Sequence, residues 1–181
     1  MRLTTYSFNG KEGIGSISGE AIIPFAQDSS LPNNMLSFLE GGPNSLEAAE
    51  NLCSLSKDRI SIAEVNLKAP ITRPPKIIAI GLNYSDHLDE VRAAGREIET
   101  PVVPMIFNKQ SLSVVGPFDD VHDPKVSEML DFEGELTFVI GKRCRHVPKE
   151  KAHEVIVGYT IANDLSVRDW QFRHPTLTIG K

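Results

Sequence analysis

Three prolines fall within nine residues in Leu67-Lys68-Ala69-Pro70-Ile71-Thr72-Arg73-Pro74-Pro75, a density that a helix or a central strand does not tolerate. Each proline fixes φ, removes a backbone donor and pushes the residue before it toward extended backbone, so this stretch reads as an extended connector. It divides the chain into a small N-terminal domain, residues 1–70, and a larger region, residues 71–181.

Short strand patterns fill the first part, at Arg2 to Phe8, Ile14 to Ser18 and Glu20 to Pro24, separated by Gly and Asn turns. One helix is legible there. Asn44 can cap it, Glu47 stands three residues on, and Leu46, Ala49, Leu52 and Cys53 form one apolar stripe. Beyond the connector, Lys76 to Leu82, Met105 to Asn108, Leu112 to Val115, Leu136 to Ile140 and Val155 to Ile161 are apolar or β-branched runs that predict strands. Helical signals interrupt them at Asp86 to Ala94 and Lys149 to Glu154. The expected class is α+β, mostly β.

Charge and composition narrow the partners. A net charge of -5, with 19 Lys and Arg scattered along 181 residues, argues against a nucleic-acid or anionic-membrane surface and leaves small molecules. No apolar run approaches the length of a membrane span and the N-terminus lacks a signal-like apolar core, so a soluble, cytosolic protein is expected. Cys53 and Cys144 have no partner at metal spacing and are expected to be reduced, structural thiols.

The segment with most chemistry is Leu130-Asp131-Phe132-Glu133-Gly134-Glu135-Leu136, where three acids alternate ahead of a strongly apolar run. In a strand such acids share a face, with next-but-one positions roughly 6.5–7 Å apart, so Glu133 and Glu135 could close on one cation. Carboxylate-only ligation suits a hard ion, Mg2+, Mn2+ or Ca2+, rather than zinc. A solvated strand face gives the same alternation, but Gly134 weakens a strand interior and marks close approach of a ligand or backbone.

A second acidic position follows in Asn163-Asp164-Leu165-Ser166-Val167-Arg168-Asp169-Trp170-Gln171. Asp164 is expected at a strand end, either as a helix N-cap or as a third metal ligand; on the second view Arg168 and Gln171 would bind a substrate carboxylate. A third segment, Gly81 to Glu90, places His87 and Glu90 at i and i+3, as a surface pair or as a water-activating general base with its carboxylate partner.

In order and spacing these pieces resemble the fumarylacetoacetate hydrolase family. The resemblance rests on Gly81-Leu82-Asn83-Tyr84 with His87 and Glu90, then Phe107-Asn108-Lys109, Glu133-x-Glu135-Leu136 and Val139-Ile140-Gly141-Lys142. Gly158-Tyr159, Asn163-Asp164-x-Ser166-x-Arg168-Asp169-x-Gln171 and Gly180-Lys181 complete it over residues 74–181.

The resemblance implies a mixed β-roll catalytic domain, usually homodimeric, with Mg2+ or Mn2+ held at positions matching Glu133, Glu135 and Asp164. Lys181 matches the lysine that contacts substrate and polarises its oxygen. His87 and Glu90 match the pair that activates water on a lid, for which Gly95 and the polar residues 96–100 would serve. A 2-oxo acid chelating the cation can have its enolate stabilised in C–C cleavage, decarboxylation or tautomerisation alike. The leading expectation is a C–C bond hydrolase of acylpyruvate-like acids. The rival is a tautomerase, isomerase or decarboxylase of a 2-oxo diacid such as oxaloacetate, and a third reading is a truncated, non-catalytic module.

Family domains normally continue past the lysine that matches Lys181, so the catalytic domain is expected to be incomplete at residue 181 and unstable on its own. The family's namesake also has an extra acidic ligand where this chain is near Ile80, which removes fumarylacetoacetate from the expected substrates.

Overall fold

The computed structural model describes residues 1–93, 95, 99–173 and 175–181. In chain order, the first elements are β1 (Leu3–Phe8), β2 (Lys11–Ser18), β3 (Ala21–Pro24), α1 (Met35–Glu40), α2 (Gly42–Leu55), β4 (Ile60–Ser61) and β5 (Asn66–Lys68). After the connector come β6 (Ile77–Gly81), α3 (Ser85–Ala93), β7 (Met105–Lys109), β8 (Leu130–Asp131), β9 (Gly134–Ile140), β10 (Ile156–Asn163), β11 (Ser166–Val167) and α4 (Arg168–Gln171). The architecture is mostly sheet with a few short helices.

Two compact units can be distinguished. The first holds residues Met1–Pro74, Val114–His122 and Gly134–Asn163, and its main sheet has the order β4-β3-β2-β1-β5. The pairs within it are antiparallel, and Gly10 and Gly19, both at positive φ, turn β1 into β2 and β2 into β3. Its core is Ile14, Phe25, Leu31, Met35, Phe38, Leu39 and Ala49. Phe25 and Phe38 are fully buried with ring centroids 5.0 Å apart, and burying each stabilises the unit by about 1.5–3 kcal/mol. Leu46, Leu52 and Cys53 of α2 pack on this core beside Ala49. The helix begins earlier than Asn44: Gly41 is the N-cap, and Pro43 lies in the first turn, where its missing N–H costs nothing.

The hairpin β9–β10 also belongs to this first unit, because Val139 and Val157 pack against its core. The units therefore interleave along the chain instead of parting at one point near residue 70. On the hairpin's other face Leu136, Phe138, Ile140, Tyr159 and Ile161 are exposed, and Phe138 meets Tyr159 edge to face.

The second unit holds Pro75–Ser113, Asp123–Glu133 and Asp164–Lys181. It contains the antiparallel pair β6–β7 and the very short antiparallel pair β8–β11, together with α3 and α4.

One predicted element differs. Leu112 to Val115 is not a strand: Ser111–Ser113 form a 3-10 turn, closed where the backbone N–H and hydroxyl of Ser113 both donate to the Gln110 carbonyl, a local alternative to a sheet ladder. The helical signal at Lys149 to Glu154 is met by a helix of 3-10 type, Lys149–Val155, that follows Pro148. Cys53 is half-buried, but Cys144 is exposed and does not behave as a buried hydrophobe.

Candidate metal and substrate site

The alternation seen in Asp131, Glu133 and Glu135 does not lie along one strand. Asp131 ends β8, opposite Ser166, whereas Glu135 lies in β9, opposite Ala162, and Glu133 falls in the break between the two ladders. At that break the Asp131 carboxylate accepts from the Phe132 N–H. Glu135 shares the half-buried face of β9 with Thr137 and Val139.

What brings Glu133 beside Asp164 is a backbone hydrogen bond: the Asp164 N–H donates to the Glu133 carbonyl at 2.8 Å. Asp164 follows the end of β10 and is not a helix cap, since α4 starts at Arg168 with Val167 as N-cap. Ser166, fully buried, shapes this corner by donating to the Asp164 carbonyl.

Around these two carboxylates, within the second unit, three cations gather. Lys181 Nζ lies 2.6 Å from Glu133 Oε2 and 2.9 Å from Asp164 Oδ2, with its side chain only 2% exposed, and it sits 5.0 Å from the Phe107 ring centroid. Its approach follows from the turn at Gly180, where φ is +90° and the carbonyl accepts from the Val167 N–H. Lys109, at the end of β7, donates to Asp164 Oδ1 and to the Leu165 carbonyl. Arg168 spends its guanidinium on Asp131 through Nε at 2.8 Å, on Glu133, and on the side-chain amide oxygen of Gln171, Oε1, at 3.1 Å. Charges placed as deeply as Lys181, Asp164 and Lys109 persist only when paired, and here three cations face three carboxylates, of which Asp131 is the more exposed.

Burial alone would push the Asp164 carboxyl up, but the hydrogen bonds and positive charge of Lys109 and Lys181 outweigh it and hold the group below the ordinary aspartate value. The hydrogen bond from Arg168 does the same for Asp131. For Arg168, burial is opposed by Asp131 and Glu133, and its pKa is raised.

The donor chemistry of Glu133 and Asp164, ionised carboxylate oxygens in a largely buried corner, fits a hard divalent cation. Among the described residues no three His, Cys, Asp or Glu groups stand close enough to hold a metal, and the Lys181 ammonium lies between Glu133 and Asp164. Gln171, buried, braces Arg168. His87 and Glu90 are paired on α3, Nδ1 to Oε2 3.7 Å, but remain open to solvent at 44% and 79%. Of the expected lid, Arg96, Glu97 and Ile98 lie outside the described residues.

Two participants were missed from sequence. Lys109 closes a strand as apolar as Met105 to Phe107, and a cation ending such a strand needs a carboxylate; that was its signal. Asp131 was noted only for its spacing, and its pairing with Arg168 had no local signature.

Residues 76–181 match the family model described as fumarylacetoacetate (FAA) hydrolase, C-terminal. A mitochondrial oxaloacetate tautomerase from Xenopus laevis is 43% identical over 148 residues, 82% of this chain and 45% of that protein. The chain thus spans about half the length of the curated relatives it matches. A fumarylacetoacetate hydrolase from the psychrophile Exiguobacterium antarcticum superposes with a TM-score of 0.76 at 29% identity, covering 100% of this chain and 61% of that one. The maleylpyruvate hydrolase of Sphingobium sp. SYK-6, solved with manganese(II) and pyruvate, gives 0.75 at 27% identity over 98% of this chain and 62% of its own.

Proposed function

The chain belongs to the fumarylacetoacetate hydrolase family, and from that premise we propose that it forms part of a divalent-metal-dependent enzyme whose leading reaction is keto–enol tautomerisation of a small 2-oxo diacid of the oxaloacetate type. The observation that carries this reading is Lys181, buried between Glu133 and Asp164. The hydrolysis placed first on sequence grounds becomes the second reading. Its supposed water-activating pair, His87 and Glu90, is exposed, and the tautomerase from Xenopus laevis shares more sequence with this chain than the two hydrolases do.

A bound Mg2+ or Mn2+ would supply Lewis-acid polarisation of the 2-oxo oxygen, and Glu133, Glu135 and Asp164 are the residues proposed to hold it. Glu135 enters as the third ligand by its place in the sequence. Tautomerisation moves a proton between C3 and the 2-oxo oxygen and needs no hydrolytic water. Lys181, held in place by the two carboxylates, offers its ammonium N–H to that oxygen as negative charge develops. Arg168, fixed by Asp131 and Gln171, supplies positive charge for a substrate carboxylate.

The test is turnover by the intact protein with Mg2+ or Mn2+, following oxaloacetate enol–keto exchange, oxaloacetate decarboxylation and acetylpyruvate cleavage side by side, with Glu133→Ala and His87→Ala. Exchange that needs Glu133 and survives His87→Ala supports the proposal. Cleavage lost in both variants would replace it with the hydrolase, and metal binding without any turnover would leave a non-catalytic module. A homodimer and a cytosolic location are also proposed, to be checked by light scattering and by cell fractionation.

A further inference from the structure

The second unit's short ladder raises a question of register. Strands β8 and β11 pair through only two residue pairs, Ser166 with Asp131 and Val167 with Leu130. A ladder so short fixes its register weakly, and a slip of one residue would turn Asp131 to the opposite face and withdraw its carboxylate from Arg168. The main-chain bonds from the Asp164 N–H to the Glu133 carbonyl and from the Arg168 N–H to the Met129 carbonyl continue the same register. That leaves the end of the segment before Met129 to be held by side chains if residues 127–133, which carry Asp131 and Glu133, are to stay aligned against residues 164–171.

We propose that Asp169 is a positioning residue that anchors the open end of this alignment, through its hydrogen bond with the Ser127 hydroxyl, and so steadies the aim of Glu133 and the Arg168 guanidinium. Asp169 Oδ1 accepts from Ser127 Oγ, whose oxygen in turn accepts from the Met129 N–H at 3.0 Å. The Met129 carbonyl accepts from the Arg168 N–H at 2.9 Å, and the Trp170 indole N–H reaches the Val126 carbonyl at 3.4 Å. Two consecutive side chains of α4 thus grip the two ends of one segment. Arg168 holds its far end at Asp131 and Glu133, while Asp169 holds its near end at Ser127. The ion pair of Asp169 with Arg173, 3.6 Å apart with the Arg173 side chain exposed and that of Asp169 partly so, is a separate contact of the kind that contributes little.

This role rests on the proposed metal reading, and the experiment separates the two. Mn2+ affinity by electron paramagnetic resonance, which needs no turnover, and KM for oxaloacetate would be measured on the intact protein, with thermal melts as a folding control. Asp169→Ala and Ser127→Ala should each weaken Mn2+ binding and raise KM about ten- to a hundredfold, the range for partners that orient metal ligands. Combined, they should do no more than either alone. Asp169→Asn, whose amide oxygen still accepts from the Ser127 hydroxyl, should recover most of the loss, and Arg173→Gln should leave both quantities unchanged. If Asp169→Ala fails to fold, Ser127→Ala carries the test.

Unchanged Mn2+ affinity and KM in a folded Asp169→Ala or Ser127→Ala protein, or an Asp169→Asn protein as impaired as Asp169→Ala, overturns the positioning role. Loss of Mn2+ in Glu133→Ala without loss in Asp169→Ala overturns it alone. Retention of Mn2+ in Glu133→Ala overturns the metal reading beneath it.

Discussion

Replacing Lys109 with Met removes one charge and keeps an aliphatic stem of similar length, so it tests the ion pair with little change in packing. Lys109 is 13% exposed and its partner Asp164 only 7%, so solvent cannot take over the lost interaction. Stripping one partner from a buried pair costs about 3–5 kcal/mol where the remaining charge is left alone. Here it is not alone, because Lys181 still donates to Asp164 Oδ2 at 2.9 Å. The cost then falls toward that of one charge-assisted hydrogen bond, about 1.5–3 kcal/mol, with a smaller addition for the Leu165 carbonyl that loses its donor. A destabilisation of about 2–3 kcal/mol lowers Tm by about 4–12 °C in a chain of this size. Circular dichroism melts of the intact protein in chelator read it directly, and a cycle with Asp164→Asn should return a coupling of about 1–3 kcal/mol. A Lys109→Met protein melting within about 1 °C of the parent would refute the reasoning, and a coupling near zero would show that the loss comes from elsewhere.

Phe38→Ala, which empties a fully buried ring site beside Phe25, should cost about 3–5 kcal/mol in chemical denaturation. Gly15→Ala should lower stability by about 1–3 kcal/mol, because a Cβ there would stand 2.4 Å from the Ile23 carbonyl oxygen; an unchanged melting curve would contradict it. Asp28 accepts from both the hydroxyl and the N–H of Ser30, and these hydrogen bonds hold its carboxyl below the ordinary value. A lowered folded pKa means the contribution is complete above the ordinary aspartate range and fades as pH falls through the lowered value. Ser30→Ala should therefore move the Asp28 titration, followed by NMR, upward toward that of an unstructured aspartate.

Element identity was legible wherever period and punctuation agreed. Ile77–Gly81, Met105–Lys109 and Ser85–Ala93 lie within a residue or two of their predicted bounds, since apolar β-branched runs and a Ser-Asp start are local signals. Ser111–Ser113 were misjudged because side-chain hydroxyls compete with the ladder that the apolar run suggested. At the site, spacing put Asp131, Glu133 and Glu135 on one strand face, an inference that held only if the strand was continuous. The break at Phe132 and Glu133 depends on pairing with β11 and β10, which are more than twenty residues away in sequence. Lys181 was reached through the family motif; Lys109 had a local signal as the cation ending an apolar strand, but which carboxylate it meets, like the pairing of Asp131 with Arg168, depends on contacts distant in sequence.

The main-chain bond from the Asp164 amide to the Glu133 carbonyl gives the site an internal clock. That amide can exchange its proton for deuterium only when the bond opens, and opening parts the two carboxylates in the same event. Any cation that binds both must therefore slow exchange at this one amide in proportion to its occupancy. A single peptide spanning residue 164 in a deuterium-uptake time course would report how often the site comes apart, with no substrate in the tube.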